Sequence, residues 1–278
     1  MKQNFLKNSK GFTLVELMVT VFLTAIAVIA IYRGYTAFSQ SADTQQQVIE
    51  MQQNLRIGMQ ALVKDIIRAG MNEEDQDVAG FILDIDGDAT EDNDADTIAF
   101  SMDLGSGGVF DADGVDNDVD EDTDEEDEAR IGDADVDDDG ERIHYFFYNE
   151  DANNNSVLDG GEDGNGNKLL DQWLQREVWT AGALGAPQTI ISNVNALDFV
   201  YLDEDENVLG TPLTTTANLE AIDTVEITLV VRTSNEDYRI TNNESYQNLQ
   251  GTVIYTAPSD NFRRRSMSMR VKVRNAQL

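Results

Sequence analysis

The sequence predicts an α+β fold: one long N-terminal α-helix, transmembrane in its first half, packed on an antiparallel β-sheet, with acidic insertions between the strands. Three observations predict it. Residues 12–69 hold no proline, and they pass from an almost wholly apolar run to an apolar stripe at helical spacing. Several later segments alternate apolar and polar residues with period two. No stretch of helical periodicity separates those segments, which argues against a βαβ layout and its parallel sheet.

The helix is preceded by a short basic leader, residues 1–11, carrying Lys2, Lys7 and Lys10 and no acid. Residues 12–32 are then apolar over the length needed to cross a bilayer. The basic flank should stay in the cytoplasm and everything after Arg33 should be exported. The apolar run leads into polar helix without a small-residue cleavage site, unlike a secretory signal peptide. One carboxylate interrupts it. Glu16 would cost about 2.5 kcal/mol or more near a bilayer centre and less near an end. A plain signal anchor with Glu16 reaching back to water fits these facts, and so does a functional carboxylate.

Residues 33–70 continue the helix as an amphipathic segment. Val48, Met51, Leu55, Met59, Leu62, Val63, Ile66 and Ile67 recur at threes and fours. Gly70 is the expected stop, with Lys64 and Arg68 in the last turns. Helix from residue 12 to 69 would be about 85 Å long. Residues 71–278 form the globular, β-rich remainder. Its strands are expected at residues 96–100, 142–148, 196–202, 223–233 and 266–274. In the fourth, Val225, Ile227, Leu229 and Val231 share a face. In the last, Met267, Met269, Val271 and Val273 should point inward. One sheet face would then pack on the helix and the other would face water.

Composition narrows function. The 278 residues carry a formal net charge of −34, which argues against a broad basic face for nucleic acid. There is no cysteine, so disulfides and thiolate chemistry are excluded, and the single histidine, His144, lies in an aromatic strand as a structural residue. No nucleophile elbow or phosphate loop is present, and an enzyme is not expected.

The stretch KGFTLVELMVT resembles the N-terminal signature of type IV prepilins. Gly11, Phe12 and Glu16 occupy the places of that family's cleavage-site Gly, its new N-terminal Phe and its Glu five residues into the mature chain. The resemblance implies cleavage after Gly11 by a membrane prepilin peptidase and methylation of the Phe12 amine. It also implies assembly through the helix with other pilins. The ammonium on Phe12 would pair with Glu16 of a neighbouring subunit, a register device more than a source of stability. The segments MQALVKDIIRAG, VEITLVVRT and FRRRSMSMRVKVRN are similar to those of PilW-type minor pilins. The layout also resembles the J-type pseudopilin of type II secretion. The protein would wait in the inner membrane as a single-pass chain, N-terminus cytoplasmic and globular part periplasmic, before joining a fibre at the cell surface.

Acidic insertions are expected at residues 84–96, 111–140 and 150–173. Seventeen of the twenty-nine residues 111–139 are Asp or Glu, too many to fold unaided, so that run is either a solvated loop or a set of cation loops. Residues 150–173 are a tandem twelve-residue repeat. In the first copy Asp151, Asn153, Asn155, the Val157 carbonyl, Asp159 and Glu162 fall at the ligand positions of an EF-hand loop, with Ser156 where glycine is expected. The second copy offers Asp163, Asn165, Asn167, the Leu169 carbonyl and Asp171, with Leu174 at the closing position. Calcium is the cation this donor set suits; a polar Asn/Gly turn cluster is the alternative. Three functions are open: a minor pilin in filament assembly, a type II secretion pseudopilin, or a calcium-dependent adhesin at a fibre tip.

Overall fold

The computed structural model describes residues 13–70, 80–83, 85, 93–102, 142–150, 172–180 and 183–273. The chain divides into two compact units, Met1–Gln47 and Val48–Leu278. In the first, the described residues beyond Thr13 are all helix, and its apolar side chains from Leu14 to Phe38 are exposed on every side. This helix, α1, spans Leu14–Ile66 and contains a segment long and apolar enough to cross a membrane.

In the second unit α1 buries one stripe: Met51, Leu55, Met59, Leu62 and Ile66, spaced by fours and threes. Val48 and Val63 flank it half-buried, whereas Ile67 is 38% exposed because the helix has already ended. The end is a tightened turn. Arg68 donates to the Asp65 carbonyl at 2.9 Å and Ala69 to Ile66 at 3.1 Å. Gly70 then takes φ +70°, which a side chain would resist, and donates to the Ser101 carbonyl. Gly58 marks closest approach to the sheets: a Cβ there would lie 2.7 Å from Ile191 Cδ1 and 3.0 Å from Leu229 Cδ2.

All strand pairings are antiparallel. β1 (Thr97–Ser101), β2 (Arg142–Asn149) and β3 (Gln172–Thr180) lie side by side, and β3 also pairs with β4 (Ala183–Leu184) and β5 (Gln188–Ser192). A second sheet has the order β10 (Arg264–Lys272), β7 (Thr224–Arg232), β6 (Val194–Leu202). A hairpin, β8 (Ser245–Gln247) and β9 (Val253–Thr256), completes the strands among the described residues. The short α2 (Thr216–Glu220) is capped by Thr215, whose hydroxyl accepts from the Asn218 N–H. The helix stripe, Ile98, Phe100, Ile143, Tyr145, Leu174 and the inward residues of β6 and β7 form one core.

Two expectations need correction. The second face of β6–β7 is not left to water. Tyr246, Tyr255 and Ala257 of the β8–β9 region pack there on Ala196 and Val230, and Glu226 and Thr228 are buried on the same face. The strand 223–233 therefore reads as apolar beyond simple alternation. Met269 is 40% exposed rather than inward, because among the described residues β10 has a partner strand, β7, on one side only. Met267 reaches the core only in part.

A bulge in β6 between Val194 and Ala196 inserts Asn195 and reverses the side-chain parity, so Val194 and Leu197 both face the core. Asn195 is buried and fully used. Its Nδ2 donates to Gln172 Oε1 at 3.0 Å and its Oδ1 accepts from Arg264 Nε at 2.6 Å. Arg264 in turn holds the Asp260 carboxylate and Tyr255 Oη, so a satisfied polar chain joins β3, β6, β10 and β9.

Candidate functional site

Two places carry the residues that the sequence singles out. The first is the start of α1. Thr13 precedes the helix and its carbonyl accepts the first helical bond, from Leu17. Its hydroxyl accepts from the Glu16 N–H at 3.2 Å and donates to Glu16 Oε2 at 3.1 Å. The Thr13 N–H also donates to Oε2, at 3.0 Å. This reciprocal arrangement, Thr at the cap and Glu three residues on, is a capping box. Both contacts use Oε2; Oε1 takes no bond among the described residues. Gly11 and Phe12 lie outside the described residues. Glu16 is thus fixed one turn from the junction that would be cut, its carboxylate turned toward the helix start.

The second place is the root of the tandem repeat. β2 and β3 pair antiparallel, and the repeat is the connection between them. Asn149 and Gln172 are paired across the neck, with Gln172 Nε2 donating to Asn149 Oδ1 at 2.9 Å. Tyr148 stacks on Trp173 at 5.5 Å between centroids, and its hydroxyl donates to the buried Glu150 at 3.0 Å. Gln172 is the residue reached by Asn195, so the neck is tied into the sheet interior. The ligand candidates Asp151, Asn153, Asn155, Val157, Asp159, Glu162, Asp163, Asn165, Asn167, Leu169 and Asp171 lie outside the described residues. Among the described residues no group of three or more His, Asp or Glu is placed to hold a metal.

Sequence reasoning missed the neck residues. The signal was present: an amide at the last position of β2 faces an amide at the first of β3, where strand interiors otherwise carry aromatic and β-branched residues. His144 bonds Thr97 Oγ1 at 2.7 Å and Glu177 Oε2 at 3.1 Å, which accords with a structural part.

Residues 6–32 match the prokaryotic N-terminal methylation motif, and residues 160–275 match type IV pilus-assembly protein W. The chain carries a prepilin motif near one end and a PilW region near the other. Its methylation motif covers the capping box of Thr13 and Glu16, and the PilW match runs from within the repeat to the end of β10. A type IV-like pilin from Thermus thermophilus is similar over 81% of this chain and 97% of its own, at 11% identity and a TM-score of 0.42. No curated protein matches the chain.

Proposed function

We propose that this chain is a minor pilin of a type IV pilus, a structural subunit that primes the filament or occupies its tip. The observation that carries the reading is the joining, on one chain, of a methylation motif on an exposed apolar helix to a PilW match. Insertions on the scale of residues 103–141 and 151–171 favour a subunit present in few copies, since a repeating subunit must pack them everywhere. The mature chain would begin at a methylated Phe12. Glu16 would offer its carboxylate to the Phe12 amine of a neighbouring subunit. Mass spectrometry of the N-terminal peptide from cells with an active prepilin peptidase is the test; an intact leader there would refute the reading. A type II secretion role is separated from a pilus role by which fibre preparation contains the chain.

We further propose that residues 151–171 bind calcium. The support is the EF-type spacing and a neck that brings both ends of the connection to one place. Asp151, Asn153, Asn155, the Val157 carbonyl, Asp159 and Glu162 would hold the first ion, and the second copy a weaker one. Calorimetry of the full chain in detergent should show calcium heat that falls about tenfold in Glu162→Gln, with magnesium a poor substitute. A version lacking residues 111–139 separates this heat from loose binding by the acidic run. No heat in that version at millimolar calcium would leave the repeat a polar turn.

A further inference from the structure

The tip of the β8–β9 hairpin rests on a charge arrangement that the filament reading does not use. The outer face of β6–β7 bears two carboxylates. Asp198 stands opposite Thr228, and Val200 opposite Glu226, so Asp198 and Glu226 are diagonal neighbours on one face. The hairpin tip reaches both. Asn248 Nδ2 donates to Asp198 Oδ2 at 3.0 Å, and Gln250 Nε2 donates to Glu226 Oε2 at 2.9 Å. Asn248 also builds the tip, because its Oδ1 accepts from the Gln250 and Thr252 N–H groups at 3.1 and 2.9 Å. On the same face Tyr246, Tyr255 and Ala257 bury Ala196 and Val230.

The two carboxylates are matched differently. Glu226 is buried and accepts from Arg270 Nε at 2.5 Å as well as from Gln250. Asp198 is half-buried, and among the described residues it bonds the neutral Asn248 amide and no cation. The charges that face it are Glu226 from β7 and Asp96 from the segment before β1. Arg270 of β10 is engaged by Glu226. Burial raises the Asp198 carboxyl above the ordinary carboxylate value against the opposing effect of the Asn248 hydrogen bond, and repulsion from Glu226 and Asp96 adds to the rise.

We propose that the hairpin tip is a pH-sensitive latch over the tyrosine-covered face of β6–β7, closed while Asp198 holds a proton and loosened when it ionises. A protonated Asp198 keeps its carbonyl oxygen as an acceptor for Asn248, so the closed form loses no hydrogen bond. Lifting the tip opens Asp198 to water, where its charge is solvated. The open form therefore gains as pH rises from the ordinary carboxylate value through the raised value of the closed form, and levels off above it. In the open form Val230 meets solvent. The inference concerns the globular unit and stands whether or not the chain enters a filament.

Because the chain has no cysteine, one introduced thiol reports the latch. The test uses the full chain in detergent, with Val230→Cys under the hairpin or Val225→Cys in the main core. Labelling by dithiodipyridine is followed from about pH 4 to about pH 7.5 and divided by the rate of a free cysteine peptide. At Val230→Cys it should quicken at least about threefold over that range. At Val225→Cys it should stay at least about tenfold slower, as an opening confined to the hairpin requires. Adding Asp198→Asn should flatten the Val230→Cys profile, since the amide still accepts from Asn248 but does not ionise. Asn248→Ala should quicken labelling at every pH. Ala196→Cys replaces Val230→Cys as the probe if that variant does not fold. A flat profile in the chain with Asp198 intact, a slope that survives Asp198→Asn, or equal rates at the two thiols would each overturn the proposal.

Discussion

Asp65 lies two residues before the last helical bond of α1 and ties the helix to the first sheet. Its Oδ2 accepts from Tyr145 Oη at 2.7 Å and from Arg176 Nε at 3.0 Å. Burial, with the neighbouring Asp65 charge, pushes the Tyr145 phenol far above the ordinary tyrosine range. Removing the carboxylate strands a half-buried guanidinium, so Asp65→Ala should cost about 3 kcal/mol, whereas Tyr145→Phe should cost about 1 kcal/mol. Thermal unfolding of both variants checks the order; equal costs would deny Asp65 the central place. Three other carboxylates respond to pH, two in one sense and one in the other. Desolvation raises Asp198 and Asp96 above the ordinary value, with added repulsion from Glu226 and Asp96 on the first and from Asp94 on the second. The folded state then binds their protons more readily than the unfolded chain, so their ionisation destabilises as pH rises through the folded values. Asp237 is the reverse: Arg239 and Arg263 hold it well below the ordinary range. Its stabilisation is complete above the unfolded carboxylate value and is lost as pH falls toward its low folded one. Asp198→Asn should therefore raise the melting temperature near pH 7 and change it little near pH 3.5. Its amide oxygen can still accept from Asn248, which now donates to Asp198 at 3.0 Å.

Among the elements, α1 was legible because its signal is long and its cause local. Apolar spacing placed the stripe, and Gly70 marked the stop. Where the sheets meet it, Gly58→Ala should be near neutral: the crowding atom is the free end of Ile191, and the gain in helix propensity of about 1 kcal/mol offsets its shift. Gly58→Val adds branches that Ile191 and Leu229 cannot both clear, and should lose about 2 kcal/mol by thermal unfolding. A stable Val variant would show that the helix stands further off. Strands β1, β2, β6, β7 and β10 were legible from their alternation. β3 was not, since its core face carries Arg176 between Leu174 and Val178. That charge is explained only by Asp65, 111 residues earlier in the chain. β8 and β9 are three and four residues long, and their contribution, two tyrosines on Val230, is visible only once the sheet exists. The capping box is written in the sequence as T-x-x-E at Thr13 and Glu16, but a carboxylate inside an apolar run reads first as a membrane feature.

For the whole molecule, the arrangement separates what must be kept from what can change. The core joins α1 to both sheets, and the polar chain from Asn149 through Gln172 and Asn195 to Arg264 locks the sheets to one another. Arg264→Met cuts that chain at a fully buried side chain and removes the guanidinium that Asp260 and Asn195 accept from. It should lower stability by about 3 kcal/mol and broaden the unfolding transition seen by near-ultraviolet circular dichroism. A sharp, unshifted transition would mean that the sheets hold together by apolar contact alone. The paired neck has a different consequence. Because Asn149 and Gln172 sit side by side, the connection 150–171 leaves and re-enters the sheet at one doorway. The doorway belongs to the frame, and the connection is mounted on it. Replacing it by Asn-Gly should keep the register of β2 and β3 and lower the closure entropy by about 2 kcal/mol in the absence of calcium. An ancestor could have acquired, lengthened or exchanged such a connection without redesigning the fold that carries it. An engineer could use the same doorway to mount another loop.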